Sequence, residues 1–273
     1  VRTKISIRNA AVIAAAVGLT LTACSQGGGE STDKLEAITQ RGQINIGSCL
    51  GTPPYGMLDD SGNPAGFDID LANELGEFLD VKVTITDLNS NGRIPALQSG
   101  VIDLVSCNFT ITDERREQVD FSDVVMYSGN SLLVREDSGI TSLDDLAGKT
   151  VAVTKGGTNV AVAEKYAPEA TQQAYENLAA AVLALKQGQV DSVIELATSV
   201  TAAAANNPEL VVAVDGEVGP KAEFGLAVQK GQEKLLAKTN KFLEQFHATG
   251  RGSELFEEWA GYPATFQFEG LEG

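Results

Sequence analysis

Apolar residues recur along this chain with two periods. A period near 3.6 marks helices. Leu35 and Ile38 follow a cap at Asp33 and stop at Gly42, while Leu71, Leu75, Phe78 and Leu79 share one face of 66–79. Leu235, Leu236, Thr239, Phe242, Leu243 and Phe246 share one face of 234–249. Short apolar runs bounded by turn residues mark strands over 44–47, 81–85, 101–105, 131–134, 149–153, 190–194, 210–214 and 224–228. Between them the spacing predicts helices over 95–99, 160–166, 177–187, 197–205 and 253–259. Strand and helix alternate, so the chain is α/β with a mostly parallel sheet covered on both faces. The alternation pauses after Phe121-Ser122-Asp123 and resumes at 131, which gives two α/β series joined by extended segments and hence two lobes. The tail after Tyr262 carries no pattern and is expected to be loose.

Ligands of open α/β sheets bind outside the carboxyl ends of the strands, and three candidate sites lie there. The first follows the run 101–105. Asn108, Thr110 and Arg115 surround a helix start that Thr112 can cap, and a guanidinium beside free N–H groups and hydroxyls makes an anion clamp. The second is the glycine turn 154–159, which opens a helix and can receive a carboxylate or phosphate; it lacks the spacing and the Gly-Lys-Ser/Thr end of a Walker loop. The third is Ser90-Asn91-Gly92-Arg93. Each has a plain alternative, a solvated arginine or an ordinary turn. Constellations for catalysis are poor. The one histidine, His247, sits on an amphipathic helix beside Phe246, where packing or exposure is the ordinary reading. One histidine and scattered cysteines make no zinc site, and Asp68 and Asp70 would point opposite ways in a strand. No metal and no cofactor is expected.

Charge narrows the class. A formal net charge of −17 argues against nucleic acid and against docking of the folded surface on anionic lipid. The N-terminal segment is the exception. Arg2, Lys4 and Arg8 precede an apolar stretch, 10–21, too short for a comfortable membrane span. That stretch ends in Leu21-Thr22-Ala23-Cys24, which resembles a bacterial lipobox. The resemblance implies a signal peptide over 1–23 and a lipid on Cys24, followed by a glycine-rich tether over 24–33. No later segment could span a membrane, so the lipid is the whole expected anchor. Cys49 and Cys107 then remain, at the same end of the expected sheet; a disulfide and two small buried thiols are both open.

The run Gly66-Phe67-Asp68-Ile69-Asp70-Leu71, with Leu75-Gly76 and Leu79 beyond it, resembles the signature of family 3 solute-binding proteins, the polar amino acid receptors of ABC importers. Five further runs resemble that family in order and spacing: Ile94-Pro95-Ala96-Leu97-Gln98-Ser99-Gly100, Asp103-Leu104, Thr110-Ile111-Thr112-Asp113-Glu114-Arg115, Asp120-Phe121-Ser122-Asp123 and Glu257-Glu258-Trp259-Ala260-Gly261. The resemblance covers about 34–262 and implies a two-lobed periplasmic-binding-protein-like fold (type II). Lobe 1 would be 34–126 plus 223–262, lobe 2 would be 127–222, and 263–273 would be a tail, with hinges near 125–129 and 220–224.

By the same resemblance, Thr110, Arg115 and Thr158 hold the ligand α-carboxylate, Asn108 offers a carbonyl to the amine, and Ser90 and Arg93 read the side chain. Tyr55 stands in for an aromatic on which relatives stack the ligand. The aspartate that pairs the ligand ammonium in relatives falls at Leu196. Either Glu195 takes its place or the ligand is not an ordinary α-amino acid, because an ammonium loses too much hydration without a carboxylate. The implied function is capture of a polar amino acid, acidic ones included, in the cleft, without chemistry, and delivery to a permease. The implied protein is an extracytoplasmic monomer held to the cell membrane by lipid alone. The alternatives are an enzyme on the same fold, such as a cyclohexadienyl dehydratase with Glu195 as its acid, and a sensory ligand-binding module.

Overall fold

The computed structural model describes residues 33–214, 217–264 and 267–272. The expected signal peptide, the lipid-bearing Cys24 and the tether as far as residue 32 lie outside the described residues. The elements of the first part are α1 (Lys34–Arg41), β1 (Gln43–Ser48), β2 (Met57–Leu58), β3 (Pro64–Ala65), α2 (Phe67–Phe78), β4 (Lys82–Asp87), α3 (Arg93–Gln98), β5 (Leu104–Val105), α4 (Asp113–Arg116) and the long strand β6 (Val119–Arg135). There follow β7 (Thr150–Thr154), α5 (Asn159–Tyr166), β8 (Thr171–Tyr175), α6 (Leu178–Lys186), β9 (Ser192–Leu196), α7 (Ala197–Ala205) and β10 (Leu210–Val212). The chain then returns through β11 (Val218–Gln229), α8 (Glu233–Ala248) and α9 (Arg251–Ala260).

Local chemistry fixes the helix ends. Asp33 Oδ1 accepts the Leu35 N–H at 2.9 Å and Gly42 closes α1 in the left-handed region. Before α2 the chain passes Gly66 at φ 122°, where a side chain would run into the backbone carbonyls of Pro54 and Tyr55. Only glycine meets both demands.

Among the described residues the main sheet has nine strands in the order β4-β1-β5-β11-β6-β9-β7-β8, with β10 paired to β6. β1 lies parallel to β4 (Ile44↔Val83) and to β5 (Ile46↔Leu104). β7 lies parallel to β8 (Val151↔Gln172) and to β9 (Ala152↔Val193). β6 runs through both lobes. Its first half pairs antiparallel with β11 (Asp120↔Val228), and its second half pairs with β9 (Leu132↔Ile194). The result is a two-lobed mixed α/β fold on one curled sheet.

The cores differ in composition. In the first lobe Ile44, Leu71, Leu75, Phe242, Phe246 and Phe256 are buried together, and a second cluster joins Leu97, Phe109, Phe121 and Val105. In the second lobe the buried clusters are aliphatic, built on Leu133, Leu185 and Val193 on one face and Leu132, Val151 and Ile194 on the other. Each fully buried large apolar side chain contributes about 1.5–3 kcal/mol.

The structure departs from the sequence pattern at identifiable places. The run 101–105 forms a strand only at Leu104–Val105, because Gly100 ends α3 and leaves Val101 on the surface. β9 starts two residues later than expected and carries Glu195 inside the strand. Edge strand β8 (TQQAY) has no apolar run to announce it. Asp68 and Asp70 sit in the first turn of α2 and not in a strand; Asp68 turns inward, and Asp70 accepts the Trp259 Nε1–H at 2.7 Å. The tail is not loose where it is described. Phe268 packs in the first-lobe core and the Gln267 carbonyl accepts the Tyr127 N–H at 2.7 Å. Cys49 and Cys107 form a disulfide, which settles the open alternative. His247 is a packing histidine, buried beside Phe246 and Phe268, with Nε2 3.0 Å from the Val124 carbonyl.

Candidate functional site

In the segments that follow β4 and β5 the first lobe presents two arginines. Arg93 opens α3 and is 3% exposed. Its Nε donates to the Ser90 carbonyl at 2.9 Å and its two terminal nitrogens donate to the carbonyls of Cys107 (3.2 Å) and Gly156 (3.0 Å). Arg115 is carried by α4. Thr112 caps that helix by accepting the Arg115 N–H at 3.2 Å. The guanidinium donates to the carbonyls of Thr110 (2.6 Å) and Gly156 (2.9 Å). Between the arginines the chain turns at Asn108, whose φ of 35° is one that asparagine tolerates better than most residues. Its N–H donates to Asp68 Oδ2 at 2.7 Å, and the disulfide ties the preceding residue to the end of β1.

The second lobe contributes the turn between β7 and α5 and the end of β9. Glu195 is 7% exposed. One of its oxygens accepts the Thr154 hydroxyl (2.6 Å) and the Asn159 amide (2.7 Å), and the other accepts only the Leu196 N–H (3.1 Å). Gly156, at φ 74°, brings its carbonyl to both arginines, and a side chain there would meet Asn91 of the first lobe. Thr158 Oγ1 lies 3.5 Å from Thr110 Oγ1 across the cleft.

A cavity of about 20 Å³ lies between these walls. Seven expected residues line it: Ser90, Arg93, Asn108, Thr110, Arg115, Thr158 and Glu195. The eighth, Tyr55, does not. It is 1% exposed and packs edge-on against Phe67 and Phe224 in the first-lobe core, where its ring serves the fold and has no face for a ligand. Thr52, Thr154, Gly157 and Leu196 also line the cavity; the position of Thr52 in the loop at the carboxyl end of β1 is the signal that could have found it. The cavity shares Arg93, Arg115 and Thr158 with a neighbouring one of about 460 Å³, and Thr52 and Ser90 with another of about 470 Å³.

Burial dominates the electrostatics. Loss of water, reinforced by the Arg115 charge, pushes Arg93 down to about 9, and burial pushes Arg115 down to about 10; both stay protonated at neutral pH. Burial raises the Glu195 carboxyl, opposed by the Thr154 hydroxyl, the Leu196 N–H and the Arg93 charge. Burial raises Asp68 to about 7. Two cations, one carboxylate and several hydroxyls around a small cavity can hold an anion and a cation belonging to one small molecule. Among the described residues no cluster of ligating side chains could hold a metal, and no helix is long and apolar enough to cross a membrane.

Known proteins resemble this chain in sequence and fold. The family model described as bacterial extracellular solute-binding proteins, family 3, matches residues 44–262. The chain is 35% identical over 251 residues to a glutamine-binding protein of an ABC transporter from Bacillus subtilis (strain 168), covering 88% of this chain and 91% of that one. It is 32% identical to a protein from Escherichia coli (strain K12) named as a putative ABC transporter arginine-binding protein, covering 76% and 86%. A crystal structure of a mutant arginine-binding protein from T. maritima superposes with a TM-score of 0.78 at 34% identity, covering 84% of this chain and 99% of that one.

Proposed function

This chain belongs to the bacterial extracellular solute-binding proteins, family 3, and is an amino acid receptor of an ABC importer, not an enzyme; on that premise we propose that the amino acid it captures is an acidic one. The observation that carries this reading is the charge of the cavity wall. Two guanidinium groups and one carboxyl group line it, an excess of at least one positive charge, which the second carboxylate of a dicarboxylic amino acid would offset. In this reading Arg115, Thr110 and Thr158 hold the α-carboxylate, Arg93 and Ser90 hold the side-chain carboxylate, and Glu195 faces the ammonium with the oxygen that has only one partner. The Asn108 carbonyl supplies a second acceptor for the amine.

Delivery follows from the hinge. Both arginines of the first lobe donate to the Gly156 carbonyl of the second, and each guanidinium has further N–H donors for a ligand, so ligand binding and closure draw on the same two side chains. Differential contact with the ligand shifts the lobes between open and closed, and the closed form is what the permease reads. We take the hinges at 125–129 and 220–224, with lobe 1 as 34–126 plus 223–262 and lobe 2 as 127–222. The paired crossing of β6 and β11 supports those limits. A monomer anchored through lipid on Cys24 completes the reading.

Titration calorimetry of the residue 33–273 protein against L-glutamate, L-glutamine and L-arginine tests it. L-glutamate is expected to bind at least tenfold more tightly than L-glutamine, and L-arginine not measurably. An arginine affinity above that for glutamate would overturn the acidic reading.

A further inference from the structure

We propose that Phe109 is a positioning residue whose ring holds the guanidinium groups of Arg93 and Arg115 at the separation a dicarboxylate requires. The inference rests on the acidic-ligand reading above and deepens it. The carbon centre of the Arg93 guanidinium lies 4.3 Å from the Phe109 ring centroid, and that of Arg115 lies 4.8 Å from the same centroid. Both distances fall inside the range in which a cation is attracted by the negative face of an aromatic ring.

Two like charges at such quarters repel, and both are largely withdrawn from water, which would otherwise screen them. Among the described residues, the hydrogen-bond partner that the two arginines share is the Gly156 carbonyl of the other lobe. Arg93 is tied to the carbonyls of Ser90, Cys107 and Gly156, and Arg115 to those of Thr110 and Gly156. The Gly156 bonds are the ones that cross to the other lobe and loosen when the lobes part. What then remains common to the two arginines on the first lobe is the ring.

The ring is itself a fixed point. Phe109 is 2% exposed, tilts against Phe121 at a centroid distance of 4.9 Å, and its carbonyl accepts the Gly225 N–H at 3.1 Å. Cys107, two residues before it, carries the disulfide. A leucine would fill much of the same space but offers no negative face, so the packing and the positioning roles can be separated.

The experiment compares Phe109→Leu with Phe256→Leu in the residue 33–273 protein, using L-glutamate as the probe. Phe256 is equally buried but belongs to the other first-lobe cluster, away from the Phe109 ring and from both arginines, so it reports what loss of aromatic packing does alone. Phe109→Leu is expected to weaken L-glutamate binding about tenfold, the loss of one or two such contacts. Phe256→Leu should lower the melting temperature comparably and leave affinity within about twofold. In the ligand-free protein, the Nε–H resonances of Arg93 and Arg115 should be displaced by the ring current, and Phe109→Leu alone should return them toward ordinary values. Wild-type affinity in Phe109→Leu, equal weakening in both variants, or unmoved arginine resonances would overturn the proposal. If the wild-type protein ignores L-glutamate, the ligand reading has failed, while the resonances still decide the role of the ring.

Discussion

The two lobes bring opposite charges to one cavity on different foundations. The first lobe rests its arginines on one aromatic ring, a disulfide and backbone carbonyls. The second rests its carboxylate on hydrogen bonds from a threonine and an asparagine, above a core of aliphatic side chains and alanines. A planar guanidinium works only when its fork is oriented, so it calls for rigid packing. A carboxylate accepts from several directions and can be placed by two short side chains.

Three measurements would break or sharpen that contrast. The largest effect belongs to Asp68, the buried carboxylate behind the first-lobe wall. Its ordinary value is 3.8 and burial raises it to about 7, so between those values the folded chain holds a proton that the unfolded chain has released. The stability this supplies is full below about pH 4 and is lost as pH rises through about 7, by about 4 kcal/mol at most. Urea unfolding at several pH values should show this fall, and Asp68→Asn should flatten it; an unchanged slope would mean that another group carries it. Next in size, Arg115→Ala should weaken L-glutamate binding about a hundredfold, near 3 kcal/mol for a lost charged contact, with little change in melting temperature. Calorimetry that finds intact affinity would remove Arg115 from the site. The smallest effect is expected across the cleft. Glu195→Gln should weaken L-glutamate about tenfold but leave glutarate, which lacks the amine, unaffected. Equal loss for both ligands would show that Glu195 shapes the pocket and does not face the ammonium.

Much of this was legible in the sequence where pattern and chemistry coincide. The alternation of apolar runs with capped helices gives the α/β order because glycines and prolines bound most runs. Ser90, Arg93 and Arg115 stood out because each follows a strand at its carboxyl end, where sheets bind ligands, whereas Glu195 was reached through the family resemblance. What failed has a common cause, the direction a side chain takes in three dimensions. Tyr55 is near the cleft in sequence, yet its ring turns into the core. Phe109 reads as one more apolar residue in a loop, and only the folded chain brings both arginines to it. The cysteines stood equally well as a pair or as two thiols until their Cα atoms lay 5.1 Å apart. β8 stayed hidden because an edge strand that faces water need not be apolar.

The passage of β6 and β11 through both lobes also sets an order of assembly. β5 finds its partner in β11 through Ala227↔Val105, a pairing that closes a loop of on the order of a hundred residues. β7 and β8 need only about twenty. As the chain emerges from its N-terminal end, the lobe that begins first therefore finishes last. Until β11 arrives, β5 presents an unpaired edge, a template for pairing with other chains. The insertion of one lobe into the other thus carries a cost in time, spent as an open sheet edge outside the cytoplasm.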